Sequence, residues 1–167
     1  MKSKLLALTI ALSLSTVFAV AAHAQSLNDH QIAEIMEEAN EAEIDAAKLA
    51  KDDAKNGEVK EFAKQMVKDH SKANDELKTL AASKNITLPS APNEEKQKAA
   101  ADLGGKSGSD FDKAYISQMK KDHDQTVKLF EDAQKDVKDA ELKAFIDKTL
   151  PVIKAHGEHV KSLDKTK

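Results

Sequence analysis

Cysteine, arginine and tryptophan are absent from this chain, and only five glycines, three prolines and one tyrosine interrupt its 167 residues. Without cysteine there can be no disulfide, no thiol nucleophile, no thiolate metal site and no lipid-bearing cysteine. A bound metal would have to use nitrogen, oxygen or thioether ligands. Without arginine the planar forks that read phosphates and guanine edges are missing, and lysine carries all of the basic charge. Aromatic residues make up only 4% of the chain, which leaves no stacking platform for bases and no broad face for sugars. The formal net charge is −3. Together these features exclude nucleic acid as a partner.

What is present falls into two parts. Lys2 and Lys4, the apolar run Leu5 to Val20 and the small-x-small triplet Ala22-His23-Ala24 form the pattern of a secretory signal peptide over residues 1–24. The competing assignment is an uncleaved membrane anchor, because the apolar run approaches bilayer length. No later segment could span a membrane, so the cleaved chain is expected to be periplasmic or secreted, with no stable membrane insertion. Removing Lys2 and Lys4 takes the charge to about −5, and residues 25–167 suffice for one domain with its own core.

That domain is rich in Ala, Lys, Glu, Asp and Leu, which favours helix almost throughout. The first helix is predicted over Asp29 to Asp53, opened by an Asn28/Gln31 capping box and stopped by Asn56-Gly57. A second is predicted over Glu58 to Lys84, ended at Asn85 ahead of Pro89 and Pro92. A short helix is expected near Glu94 to Leu103. After Gly104, Gly105 and Gly108, Ser109 with Asp112 is expected to cap a third long helix reaching Lys135. Asp139 starts a fourth, which runs to about Leu163, with a kink or break expected at Pro151 and a frayed end over Lys161 to Lys167. The fold class is therefore all-α. Four helices of about 38 Å, with one longer connection between the second and third, make a four-helix bundle.

Periodicity then picks out four residues. At 100° per residue Ile32, Met36, Ala39, Ala46 and Ala50 share a stripe that includes Glu43, whereas Glu37, Glu38 and Glu41 point away. His70 lies in the stripe of Val59, Phe62, Met66, Ala73 and Leu77, and His156 lies in that of Leu142, Phe145, Ile146, Ile153 and Val160. On the third helix His123 and Asp122 flank the stripe of Phe111, Tyr115, Met119 and Phe130, and one of the two is expected to enter the core. His30 and His159 are expected at the surface. Burying imidazoles and a carboxylate costs free energy unless partners satisfy them, so Glu43, His70, His123 and His156 are the candidate site. A local repeat, Gln65-Met66-Val67-Lys68-Asp69-His70 against Gln118-Met119-Lys120-Lys121-Asp122-His123, sits on the second and third helices and does not fit a doubling of two equal hairpins.

The order of Glu43, Leu49-Ala50, Phe62-Ala63, Met66-Val67-Lys68-Asp69-His70, Phe111-Asp112-Lys113-Ala114-Tyr115-Ile116, Asp122-His123, Leu150-Pro151 and His156 resembles the bacterial domain-of-unknown-function family DUF4142. The resemblance implies an exported helical bundle with a ferritin-like fold and leaves the activity open.

Di-iron oxidase chemistry lacks its motif. A Glu-x-x-His pair is needed on two helices, but Val67, Lys120 and Ile153 stand three residues before the histidines. No hydrolase triad or phosphate-cradling loop is present either, so an enzyme is not the expected class. Three imidazoles and one carboxylate suit one divalent ion, Zn, Cu, Mn, Fe or Ni, with Asp69, Asp122 or backbone carbonyls holding the rings. Met66 and Met119 beside the histidines would favour copper if they were ligands, but methionines at such positions are more often core fillers, so copper is one option. The first reading is thus an exported protein holding a metal or small ligand, in the setting of an envelope stress response. The alternative is a metal-free interaction module with an envelope protein partner, in which Glu and His form a structural network.

Overall fold

The computed structural model describes residues 27–165, and the expected signal peptide at 1–24 lies outside them. Five helices form among the described residues: α1 (Asp29–Asp53), α2 (Gly57–Ser83), α3 (Glu94–Gly104), α4 (Gly108–Asp136) and α5 (Ala140–Lys165). They contain no strand, and a single parallel bridge joins Ala54 to Gly108. The Asn28/Gln31 capping box is present, with each side chain accepting from the other residue's backbone N–H. Asn85 leaves α2 at φ 56, a left-handed position that asparagine tolerates.

Several local expectations are corrected. Asn56 does not end α1; its Oδ1 accepts from Glu58 N, so it caps the start of α2. The helix α5 runs as one helix through Pro151, so it does not divide into two there, and Lys161 to Lys165 continue it. Glu37 is buried, only 1% exposed, because Lys78 reaches across from α2 to within 3.2 Å of its Oε1. Nor does Asp112 cap its own helix. Its two oxygens accept from Lys55 N at 2.8 Å and Asn56 N at 2.9 Å, in the turn between α1 and α2.

That contact has a counterpart. Asp29, at the start of α1, accepts from Lys138 N and Asp139 N in the turn between α4 and α5, both at 3.0 Å. A shift of 83 residues carries Asp29 onto Asp112, Lys55 onto Lys138 and Asn56 onto Asp139, and the same shift separates Glu43 from Thr126, which touch. Buried positions follow it too: Ile32 and Tyr115, Met36 and Met119, Ala50 and Ala133, Phe62 and Phe145, Leu77 and Val160. Each hairpin thus grips the other's turn, the reciprocity of a two-fold arrangement. The hexapeptide repeat on α2 and α4 does not correspond to this shift and relates no equivalent positions.

The hairpins α1–α2 and α4–α5 pack with α1 against α4 and α2 against α5, while α3 lies against α1 and α4. Two apolar clusters result. One joins Ala46, Ala50, Phe62, Met66, Phe111, Tyr115, Met119 and Val160; the other joins Ile32, Met36, Leu77, Phe130, Phe145, Ile146 and Ile153. The C-terminal half of α1 shares a cluster with the N-terminal halves of α2 and α4, so both neighbours run antiparallel to it. The direction order is up, down, down, up. A connection the length of the bundle, residues 84–107 with α3 inside it, must then join α2 to α4, which is the ferritin-like topology with one crossover.

Asp112 is 5% exposed, and hydrogen bonds to a charged acceptor contribute about 1.5–3 kcal/mol each before the loss is shared with solvent. Asp112→Ala is therefore expected to cost about 2–3 kcal/mol in urea unfolding, and Asp29→Ala, which is half-buried, a smaller loss of the same kind.

Candidate metal centre

Each of the four long helices carries its polar core residue between its contributions to the two apolar clusters. Glu43 lies between Met36 and Ala46 on α1, His70 between Met66 and Leu77 on α2, His123 and Thr126 between Met119 and Phe130 on α4, and His156 between Ile153 and Val160 on α5. A polar layer therefore crosses the bundle at mid-height. All four sequence-predicted residues are in it and all are buried, with exposures from 0% for His123 to 5% for His70.

The three rings converge. Their centroids are 5.3 Å apart for His70 and His156, 5.8 Å for His123 and His156, and 5.9 Å for His70 and His123. One nitrogen from each lies within 4.8 Å of one from each of the others. Close approach of α5 to α4 at this level is helped by Gly157, whose missing Cβ would sit 3.7 Å from the Cβ of His123.

Each ring is held by an oxygen on one nitrogen. His70 Nδ1 is 2.7 Å from Asn40 Oδ1, and the Asn40 amide also donates to the His70 carbonyl at 2.9 Å. His123 Nδ1 is 2.9 Å from the Met119 carbonyl, one turn back on α4. His156 Nε2 is 2.9 Å from Asp69 Oδ2 on α2. An oxygen that only accepts requires the ring nitrogen facing it to carry the proton. The remaining nitrogens, His70 Nε2, His123 Nε2 and His156 Nδ1, then present lone pairs, and none has a hydrogen-bond partner.

Glu43 completes the layer. Its Oε2 is 3.2 Å from His70 Nε2 without hydrogen-bond alignment, and its Oε1 accepts from the Thr126 hydroxyl at 3.4 Å and lies 3.9 Å from His123 Nδ1. Of the two residues that flank the α4 stripe, His123 enters the core, whereas Asp122 turns to Lys96 of α3 at 2.8 Å. Asp69 and the Met119 carbonyl hold rings as expected of such groups. Asn40 was not foreseen, and its signal was available: it lies one turn before Glu43 on the same helix face. Glu43 is the single carboxylate set directly among the three rings among the described residues, so the four-carboxylate di-iron arrangement is not assembled.

Burial governs the charge state. It pushes Glu43 up to about 8, with the nearby Asp122 charge adding to the effect. It pulls His123 down to about 4 against the raising influence of the Met119 carbonyl. His70 is held well below 6.5 by burial and by the other two rings. At neutral pH the layer holds a protonated Glu43 carboxyl beside the neutral rings of His70 and His123. Three aligned lone pairs, with every ring braced by an outer oxygen, form the donor set that a transition-metal ion requires. None of those nitrogens has a partner in hydrogen-bonding geometry, although the Glu43 carboxyl stands 3.2 Å from His70 Nε2.

The metal-free protein should show an optimum in stability near pH 6.5. Between 4.5 and 8 the folded chain keeps the Glu43 proton that the unfolded chain releases, so this contribution is lost as pH rises. Below 6.5 the unfolded chain protonates two histidines that the folded chain keeps neutral, so their contribution is lost as pH falls, and two groups outweigh one. Chemical unfolding should register a drop of about 2 kcal/mol from pH 6.5 to 8, at 1.36 kcal/mol per unit for one proton. Glu43→Gln should abolish that alkaline limb and leave the acid limb in place.

In comparisons with known proteins, no curated protein matches the chain. Among solved structures it is similar in fold to CopM in the Cu(II)-bound form, at 20% identity and a TM-score of 0.72, over 84% of this chain and 98% of that one. CopM in the Cu(I)-bound form gives 19% identity and 0.69 over 83% and 96%; the Ag-bound form gives 20% and 0.69 over 84% and 97%. The match to the family described as "Domain of unknown function (DUF4142)" extends over residues 15–163, and the chain belongs to that family.

Proposed function

We propose that this protein binds one transition-metal ion on His70, His123 and His156, with Glu43 beside them, and that its work lies in holding that ion outside the cytoplasm. The observation that carries the reading is the convergence of three buried histidines, each offering one nitrogen within 4.8 Å of those of the others, while each ring is braced on one nitrogen and keeps its other nitrogen without a hydrogen-bond partner. Leaving such groups unmatched in a helical core costs roughly 1–3 kcal/mol apiece, a cost that a metal ion offsets. Among Zn, Cu, Mn, Fe and Ni, copper is placed first, because the similar folds are those of CopM holding copper or silver. Imidazole nitrogen suits Cu(II) without any thiolate. The export reading is supported by the basic, apolar and small-residue pattern of residues 1–24. No described helix is long and apolar enough to cross a membrane.

When bound, the ion would be held by the three rings, and Glu43 could join as a fourth ligand once its proton leaves. Asn40, Asp69 and the Met119 carbonyl keep the rings in the required tautomers. Mature protein purified without chelators or affinity histidines should carry close to one equivalent of metal. Added metal at 100 times its dissociation constant should raise stability by about 2.7 kcal/mol, a melting shift of about 5–10 °C. Both effects should vanish in His70→Ala. Unchanged melting across all five ions would overturn the reading.

A further inference from the structure

A cavity of about 480 Å³ opens from the polar layer toward the other end of the bundle. Glu43, His70 and His156 stand at its inner end, and Met36, Leu77, Phe130, Phe145 and Ile153 form its apolar walls. Its lining reaches exposed residues of α2 and α5, among them Lys72, Lys148 and Val152, so its mouth lies between those helices. The opposite side of the bundle, along α1 and α4, is covered by α3. The cavity falls within the usual size of small-molecule sites, roughly 300–1,000 Å³, and has their composition of apolar walls with a few converging polar groups.

We infer that this cavity binds a small amphipathic anion, a carboxylate with an aliphatic body of about eight carbons, whose head meets the histidine-held ion and whose tail lies along Met36, Leu77, Phe130, Phe145 and Ile153. This inference rests on the metal-binding reading. Three imidazoles with Glu43 as a fourth ligand still leave a Cu(II) ion able to take a further one, and the cavity shares Glu43, His70 and His156 with the site. A molecule that reaches the ion from this side enters through this space. The carboxylate class follows from the surroundings. A divalent ion held by three neutral imidazoles and one carboxylate retains a net positive charge. The mouth carries Lys72, and Lys148 there is paired with Glu76 at 2.7 Å. Of the carboxylates in the lining, Asp69 is engaged with His156 and Glu76 with Lys148, and the apolar stretch of Met36, Leu77, Phe130, Phe145 and Ile153 suits an alkyl body.

The probes are butyrate, hexanoate and octanoate, titrated calorimetrically into Cu(II)-loaded protein while the visible d–d absorption of the ion is followed and its metal content is measured. Affinity should rise about fourfold per added methylene, the increment for burying one such group. The d–d band should shift in step with binding. Ala73→Phe and Thr149→Phe fill the cavity from α2 and α5 respectively. In whichever of them retains copper, octanoate binding should fall at least tenfold. The inference is overturned by copper-loaded protein that binds the three acids equally, by binding that leaves the d–d band unmoved, or by octanoate affinity unchanged in a copper-retaining filled variant. In each of those results the copper remains bound and the metal-binding reading stands. Protein that takes up no copper or other ion overturns both together.

Discussion

The cost of burying imidazole nitrogens without partners shapes the middle of this bundle. Two apolar clusters could in principle have merged into one continuous core, since the helices are long enough and the flanking residues are Ile, Met, Phe and Val. Instead a layer of Glu43, His70, His123, Thr126 and His156 separates them. Such a layer contributes less to stability than hydrocarbon of the same volume. Its retention in four helices at one level is explained if the layer holds something, and the orientation of the rings supports the proposal of a metal ion. Asn40, the Met119 carbonyl and Asp69 each take one N–H, and in doing so aim the other nitrogen inward.

The same reasoning places Glu43. A carboxylate ionised at this depth would need a cation, and the His70 and His123 rings beside it are themselves kept neutral by burial. Lys96, the nearest basic residue in its field, is engaged with Asp122 on the α3 side. The proton that Glu43 retains is thus a direct consequence of a layer that has lone pairs and no positive charge. A metal ion reverses that balance by supplying the charge, so ion binding and loss of the Glu43 proton are expected to be coupled. Glu37 is buried as deeply as Glu43, but Lys78 lies 3.2 Å from one of its oxygens, so its burial is met by a side chain of the chain itself.

Features with a short sequence range were legible in advance. The Asn28/Gln31 box and the 3.6-residue stripes place Glu43, His70 and His156 inward, because those signals depend only on residues within one or two turns. Features fixed across helices were not. Asp112 has the look of a local cap, three residues after a serine, yet its carboxylate is used by backbone N–H groups more than fifty residues away. Glu37 falls off the apolar stripe of α1 and is nonetheless buried, because Lys78 on a neighbouring helix covers it. The cavity left no sequence trace at all: it depends on how far α2 and α5 stand apart.

The two-fold relation between the hairpins shows where function departs from scaffold. Under the shift of 83 residues the clasps and most apolar positions are conserved in kind: aspartate with aspartate, methionine with methionine, phenylalanine with phenylalanine. The polar layer breaks the correspondence. Glu43 corresponds to Thr126, Asn40 to His123, His70 to Ile153 and Ala73 to His156. A fully symmetric layer would place two equal half-sites about the axis, with identical charge and access on both sides. Substituting each pair unequally yields one set of three rings with one carboxylate. It also pairs the larger Ile153 and His156 on α5 with smaller space beside Ala73 on α2, where the cavity runs to the surface. The scaffold needs only hydrophobic volume and two aspartate clasps, and symmetric residues satisfy both. A single ion with a single approach, as proposed, would not share that symmetry, and the residues that differ between hairpins are the ones proposed to hold it.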